Sequence, residues 1–276
     1  ATEEPEQAEV EKNYSGITDM ETLESWITEA YKAGVLAVDT ETTGLDPVAA
    51  DLVGISLCIE PGKACYIPVG HGANSADLLA EKPNQLDKAK VIAALKPLFE
   101  DASVLKIGQN LKYDMSILAR EDIALTPIDD TMLISYALDA GLHNHGMDEL
   151  SNRHLGISPI PFKEVAGTGK NQITFDQVTL DKATDYASED ADITLRLYKK
   201  LKPRLATEKV TTVYETLERP LASVLSAMER EGIRVDVPTL QKLSNEFAVG
   251  IERLDKEIQQ LAGRPFNVAS PKQLGE

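Results

Sequence analysis

Val35-Leu36-Ala37-Val38-Asp39-Thr40-Glu41-Thr42 is an apolar run that breaks into two carboxylates. Four consecutive apolar residues after Gly34 predict a buried strand. Side chains two apart on a strand share a face, so Asp39 and Glu41 project together from its end, their Cα atoms about 7 Å apart. One carboxylate at a strand end is ordinary. Two on one face repel each other unless something positive lies between them.

Outward from that strand, apolar runs at residues 52–59 and 64–69 predict two more, joined by the hairpin chemistry of Glu60-Pro61-Gly62-Lys63. A fourth is expected at 104–108, and helices at 20–33 and 87–99. Residues 70–85, rich in Gly, Asn and Ala, read as a loop, and residues 1–15 as polar and mobile. Helices then dominate, at 111–120, 130–138, 147–155 and 180–201. Strands first, with helices packing on them, predict an α/β or α+β domain around a mixed sheet.

Two later segments offer further acids. Gly108-Gln109-Asn110 closes a strand, with Asn110 placed to cap the next helix and Asp114 near its first turn. An acid there also complements a helix dipole, so Asp114 alone decides nothing. On the helix at 180–201, Tyr186, Asp190, Ile193, Leu197 and Leu201 form one stripe at helical spacing. Asp190 therefore interrupts a buried face, while Glu189 and Asp192 fall on other faces and read as solvated charge. A buried carboxylate without a partner is costly, and neither Lys182 nor Arg196 shares the stripe. Hard divalent cations, which prefer carboxylate oxygens and water, resolve such a convergence. His71, His143, His145 and His154 show no metal-ligand spacing to these acids, which leaves a His-based zinc site little support.

The composition sets bounds on the rest. The 276 residues suit one large domain with a smaller appendage, or two modest ones. No stretch approaches the ~18 apolar residues needed to span a bilayer, so no membrane role is expected. Cys58 and Cys65 read as two reduced thiols, as in a cytosolic protein. With 28 basic against 45 acidic residues, the net charge is −17. That excludes the broad basic footprint of a protein gripping many phosphates. It is compatible with a solvating surface, and with a protein that reaches a few nucleotides through bound cations.

Near Pro203 the pattern changes to long amphipathic segments at 210–231 and 238–261, with Pro220 expected to kink or restart the first. Ser270-Pro271 opens a further helix as cap and first residue, just before the chain stops at Glu276. The acidic start and this ending read as a fragment cut at both ends.

Asp39-Thr40-Glu41-Thr42, Asn110-Leu111-Lys112-Tyr113-Asp114 and Tyr186-Ala187-Ser188-Glu189-Asp190 match, in order, the three motifs of the DEDDy exonuclease family. Asp-x-Glu alone is weak; the ordered trio with Tyr four residues before its Asp is strong. A sister subclass carries His five residues before that Asp, where this chain has Asp185. Together with Leu45, Gly108-Gln109, Asp130-Thr131-Met132-Leu133 and Gly169-Lys170-Asn171-Gln172, these motifs resemble the 3′→5′ proofreading exonuclease domain of bacterial family A DNA polymerase I, the Klenow type.

The resemblance covers nearly everything from Tyr14 onward and implies a ribonuclease-H-like α/β fold, a mixed sheet flanked by helices. It divides the chain into an acidic linker at 1–13, an exonuclease domain at 14–202, and at 203–276 the helical start of a polymerase domain. It implies two divalent cations, Mg²⁺ first with Mn²⁺ or Zn²⁺ as alternatives. Asp39, Glu41 and Asp190 would hold one cation, Asp39 and Asp114 the other, and Tyr186 would sit beside the attacking water. Leu45 and Phe162 would wedge against the terminal bases, with Gln109 and Asn110 also on the substrate. The implied partners are a single-stranded DNA 3′ end and the polymerase domain of the same polypeptide, in a monomer of the bacterial cytoplasm acting in replication and repair.

Three rivals stand: an RNA-trimming DEDDy exonuclease, a decayed nucleic-acid-binding domain, and a purely structural metal site. Gly167-Thr168-Gly169-Lys170 lacks the earlier Gly and the following Ser or Thr of a phosphate loop and reads as a flexible connection within reach of DNA.

Overall fold

The computed structural model describes residues 11–72 and 83–276, so most of the loop expected at 70–85, and most of the acidic start, lie outside the described residues. The chain divides into two compact units, one reaching Arg230 and one from Glu231 to Glu276.

The first unit is built on a six-stranded mixed sheet. Its strands are β1 (Asn13–Gly16), β2 (Val35–Thr42), β3 (Leu52–Glu60), β4 (Lys63–Pro68), β5 (Leu105–Gly108) and β6 (Ile128–Asp130). In space they run β1-β4-β3-β2-β5-β6. The β2–β3 and β3–β4 pairs are antiparallel; β1–β4, β2–β5 and β5–β6 are parallel. Two strands escape the sequence reading. β1 lies where a polar, mobile segment was expected, and its Asn13 to Gly16 pair with Lys63 to Tyr66. β6 has only three residues, too few for a period-2 signal to emerge.

Alternation along β2 sends Leu36 and Val38 to one face and Ala37 to the other. The first face packs on α1 (Met20–Ala33), α2 (Lys88–Glu100) and α3 (Lys112–Arg120) through Leu23, Trp26, Leu95, Phe99 and Ile117. The second meets α7 (Leu180–Thr207), where Ala191 and Leu195 lie against Ala37, Cys58, Ala64 and Ile107. Ala183, Ala187 and Ala191 recur at i, i+4 and are fully buried, and such short side chains let a helix lie close to a sheet. Cys58 and Cys65 are buried free thiols.

α4 (Thr131–Asp139) and α5 (Met147–Leu155) pack on the later turns of α7, with Ile134 and Leu150 against Ile193, Leu197, Leu201 and Leu205. This continued stripe explains why α7 runs through Pro203 to Thr207 although the sequence pattern changes there. Apolar packing over the last turns offsets the ~3 kcal/mol that an internal proline costs. After α8 (Thr211–Val213), a π-helical turn at Tyr214–Glu218 precedes α9 (Arg219–Glu231), so the helix restarts beside Pro220 as expected.

The second unit holds α10 (Val237–Ala262), capped by the Asp236 carboxylate on the Thr239 amide. In α11 (Pro271–Gly275) the Ser270 hydroxyl accepts from the Gln273 amide, as its sequence predicts. Among the described residues no helix is long and apolar enough to cross a membrane.

Candidate active site

β2 is flanked by β3 and β5, and its end carries Asp39 and Glu41 toward α7, on the face of Ala37. From α7, Asp190 meets them. Ligand oxygens of Asp39, Glu41 and Asp190 all lie within 4.8 Å of one another. Asp114, on α3, stands outside this triplet and is more deeply buried, at 2% exposure, and one of its oxygens accepts the Thr40 amide at 2.9 Å and the Thr40 hydroxyl at 2.5 Å. Thr40, between the two strand acids, thus anchors a third from the opposite side of the sheet.

Burial dominates the electrostatics of all four acids. It pushes Asp39 up to about 8, with Asp190 adding to the effect. Asp190 is likewise pushed up by burial to about 8, partly offset by a hydrogen bond from Tyr186. Burial and then the neighbouring carboxylates hold Glu41 well above its ordinary range. Asp114 is raised by burial and Asp39 despite its bonds to Thr40. No basic side chain is among the groups that shift any of them. A donor set of clustered, uncompensated carboxylate oxygens fits a hard divalent cation.

Above the acids opens a cleft of about 570 Å³. Asp39, Glu41, Leu45, Gln109, Asn110, Asp114, Phe162 and Tyr186 all line it, so the structure brings the sequence-predicted residues to one place. Asp190 joins them through Tyr186 and the triplet. Leu45 is 97% exposed on the loop after β2. Phe162 opens α6 (Phe162–Ala166), 40% exposed, with its ring stacked on Phe175 at 6.4 Å and edge-on to Tyr186 at 6.0 Å.

Two sequence readings are corrected here. Asn110 does not cap α3, because the cap position is Leu111 and no side chain fills it. The Asp130 carboxylate instead accepts the amides of Asn110 and Leu111 at 3.2 and 2.8 Å, and also those opening α4. Asn110 adopts φ +60, a left-handed conformation that Asn tolerates, so its presence in the cleft is not explained by capping. Second, Glu189 and Asp192 are not solvated but buried and fully partnered. Glu189 pairs with Lys12 and accepts the Ile160 amide. Asp192 binds Arg196 through both oxygens and also accepts from Tyr14 and the Gly62 amide. The connection after α6 includes a 3-10 turn at Gly169–Asn171.

Gln109 lines the cleft, yet both ends of its amide are engaged, donating to the His145 carbonyl at 2.8 Å and accepting from Thr131 at 2.5 Å. Sequence reasoning missed several supports. Tyr113 lines the cleft and hydrogen-bonds Thr42 and the Gly44 carbonyl, tying down the Leu45 loop. Phe175 backs both Phe162 and Tyr186. Gly54 pairs with Glu41 across the ladder, and a Cβ there would stand 2.1 Å from the Tyr66 hydroxyl, so only glycine lets Tyr66 pass beneath the acids. Tyr113 stood inside a quoted motif; Phe175 and Gly54 carry no local signal.

A mixed sheet with an acid cluster at the end of an interior strand, closed by an acid-bearing helix, is the architecture of the ribonuclease-H-like class. Solved structures share the fold. The polymerase-domain structure of Mycobacterium smegmatis Pol1 with DNA primer-template and dNTP matches with a TM-score of 0.73 at 23% identity, over 94% of this chain and 39% of that one. Brucella melitensis NrnC bound to pGG matches with a TM-score of 0.58 at 21% identity, over 83% of this chain and 99% of that one.

In sequence, a DNA polymerase A family model described as 3′-5′ exonuclease matches residues 14–206. DNA polymerase I of Rhizobium leguminosarum is 52% identical over 95% of the chain and 27% of its own length. That of Pseudomonas aeruginosa is 41% identical over 99% of the chain and 30% of its own length. The chain belongs to the 3′-5′ exonuclease family of DNA polymerase A, and it spans less than a third of those two relatives.

Proposed function

We propose that the chain removes nucleoside monophosphates one at a time from single-stranded or frayed DNA 3′ ends, as the proofreading part of a DNA polymerase I in replication and repair. The observation that carries this reading is the clustered triplet of half-buried Asp39 and buried Glu41 and Asp190, without a basic partner, beneath an open cleft. Asp39, Glu41 and Asp190 would hold one divalent cation, and Asp39 with Asp114 a second, Mg²⁺ before Mn²⁺ or Zn²⁺. When bound, such a pair supplies Lewis-acid polarisation of the phosphate and a lowered pKa for water.

The protein's own groups supply position. Burial and Asp190 hold the Tyr186 phenol far above its ordinary range, so at neutral pH it keeps its proton, donates it in a hydrogen bond to Asp190, and leaves its oxygen to accept from and orient a water. Leu45 and Phe162 offer apolar contact that tolerates any base, as a proofreader needs. Hydrolysis joins a water oxygen to phosphorus and breaks the P–O3′ bond. A 3′-hydroxyl remains on the shortened strand, and a nucleoside 5′-monophosphate leaves.

Residues 14–202 form the nuclease in this reading, supported by the family match at 14–206. Residues 203–276 begin a polymerase domain, the partner within the same polypeptide, in a monomeric bacterial cytoplasmic enzyme. The test is a 5′-labelled single strand with Mg²⁺ or Mn²⁺, beside Asp39→Ala and Asp190→Ala, in DNA and RNA arms. A DNA ladder shortening from the 3′ end, absent with EDTA and in both variants, is expected. Intact DNA with a folded wild-type chain overturns the reading, and faster trimming of RNA moves the substrate class.

A further inference from the structure

Asp139 closes α4, His143 lies in the loop that follows, and His154 sits in the last turn of α5. Sequence spacing gave no hint of this group, yet one ligand atom from each lies within 4.8 Å of the other two. The side chain of His143 is only 5% exposed, and its Nδ1 meets the Asn144 carbonyl at 2.7 Å. A carbonyl only accepts, so Nδ1 carries the proton and Nε2 presents a lone pair.

That Nε2 is buried without a hydrogen-bond partner, and so is Nε2 of His154. Facing His143 Nε2, at 3.8 Å, is Asp139 Oδ2, another acceptor and too distant for a hydrogen bond. Arg204 already neutralises Asp139, reaching both of its oxygens at 3.2 Å. The carboxylate thus has its counter-charge, while two buried ring nitrogens have nothing to bind. A single proton between His143 and Asp139 would leave His154 unsatisfied.

We infer that Asp139, His143 and His154 bind one borderline transition-metal ion, Zn²⁺ by preference, at a site separate from the acid centre. Two imidazoles and one carboxylate are zinc's usual nitrogen and oxygen donors, with a fourth position left for water. The outer contacts are those of a built site: the Asn144 carbonyl fixes the His143 tautomer and Arg204 holds Asp139. Burial and then Arg204 push the His154 imidazole below its ordinary range. His145 stays outside the group, its Nδ1 held by Ser135 at 2.8 Å. Tetrahedral donors about 2.0 Å from zinc stand ~3.4 Å apart, so the three side chains must draw together on binding. An occupied site would staple α4 to α5 through the loop whose His145 carbonyl holds Gln109.

The experiment titrates Co²⁺, then Zn²⁺, into the metal-stripped chain carrying Asp39→Ala and Asp190→Ala, which silence the acid centre. The same titration on the wild-type chain in excess Mg²⁺ guards against misfolding of that background. Expected are one equivalent of Co²⁺ with visible ligand-field bands, displaced by Zn²⁺, and a rise in Tm of several degrees on Zn²⁺ binding. His143→Ala and His154→Ala each weaken binding at least tenfold while His145→Ala does not, with circular dichroism confirming the fold. Absence of a one-equivalent band in both backgrounds, or its survival in the His143→Ala/His154→Ala double variant, overturns the site. Neither outcome depends on whether the chain cuts DNA.

Discussion

Two carboxylates two residues apart on α7 have opposite surroundings. Asp190 and Asp192 are both buried, at 7% and 1% exposure. Asp192 is saturated by Arg196, Tyr14 and the Gly62 amide. Asp190 faces two more acids and a tyrosine, with no cation. Burial therefore does not distinguish an acid that builds the fold from one in the proposed catalytic centre. The supply of counter-charge does. The same contrast recurs between Asp39 and Asp129, which Lys202 and Arg219 neutralise and Tyr214 caps.

The contrast breaks most directly in activity. Asp190→Ala is expected to lower 3′→5′ hydrolysis about 10³-fold or more, because a group acting within a catalytic unit is not partly replaceable. Asp192→Ala, if it folds, should stay within threefold of wild type in the same single-turnover assay. A comparable loss in both would mean that α7 position, and not charge supply, sets the rate.

Stability should sort the pair the other way. Removing Asp192 strands Arg196 and is expected to cost about 3–5 kcal/mol in urea unfolding. Asp190→Asn, in EDTA at pH 8, relieves repulsion and should stabilise the chain by about 1–2 kcal/mol. A destabilised Asp190→Asn would show that the acid centre is structurally satisfied after all.

Proton linkage sharpens this further. Asp39 and Asp190 are raised to about 8 in the folded chain from an ordinary value of 3.8. Between those values the folded state binds more protons than the unfolded one, so metal-free stability should fall as pH rises from about 4 to about 8. Mg²⁺ should release protons on binding and reverse the decline. Thermal melts across that range check it; a flat profile in EDTA would contradict the shifts. The smallest effect belongs to the cleft rim: Leu45→Ala should raise KM for single strands several-fold and leave Tm unchanged.

What the sequence disclosed follows the range of its signals. Asp39 with Glu41, and Asp190 with Tyr186, are visible because strand and helix periods place them within one element. The close lay of α7 on the sheet is nearly as local, through Ala183, Ala187 and Ala191, yet alanine at that spacing also suits an ordinary helix. Asp192 and Glu189 were misread because Tyr14 and Lys12, their partners, are more than 170 residues away on or beside a strand with no apolar run. Asn110 was misread because the acid that caps its turn, Asp130, comes from another strand. The triad of Asp139, His143 and His154 depends on how two helices meet, which spacing does not encode.

The placement of Asp39 and Glu41 on an interior strand also fixes when the site can come apart. Amides in the middle of a sheet exchange with solvent only on global unfolding, whereas an exposed loop or a short helix exchanges through local opening. Asp39 and Glu41 are thus held by the whole fold, while Leu45 and Phe162 ride on segments that can open alone. In the proposed exonuclease, changes in temperature or in the kind of strand end to be accepted can be met by altering the rim while the acid cluster stays as rigid as the protein itself.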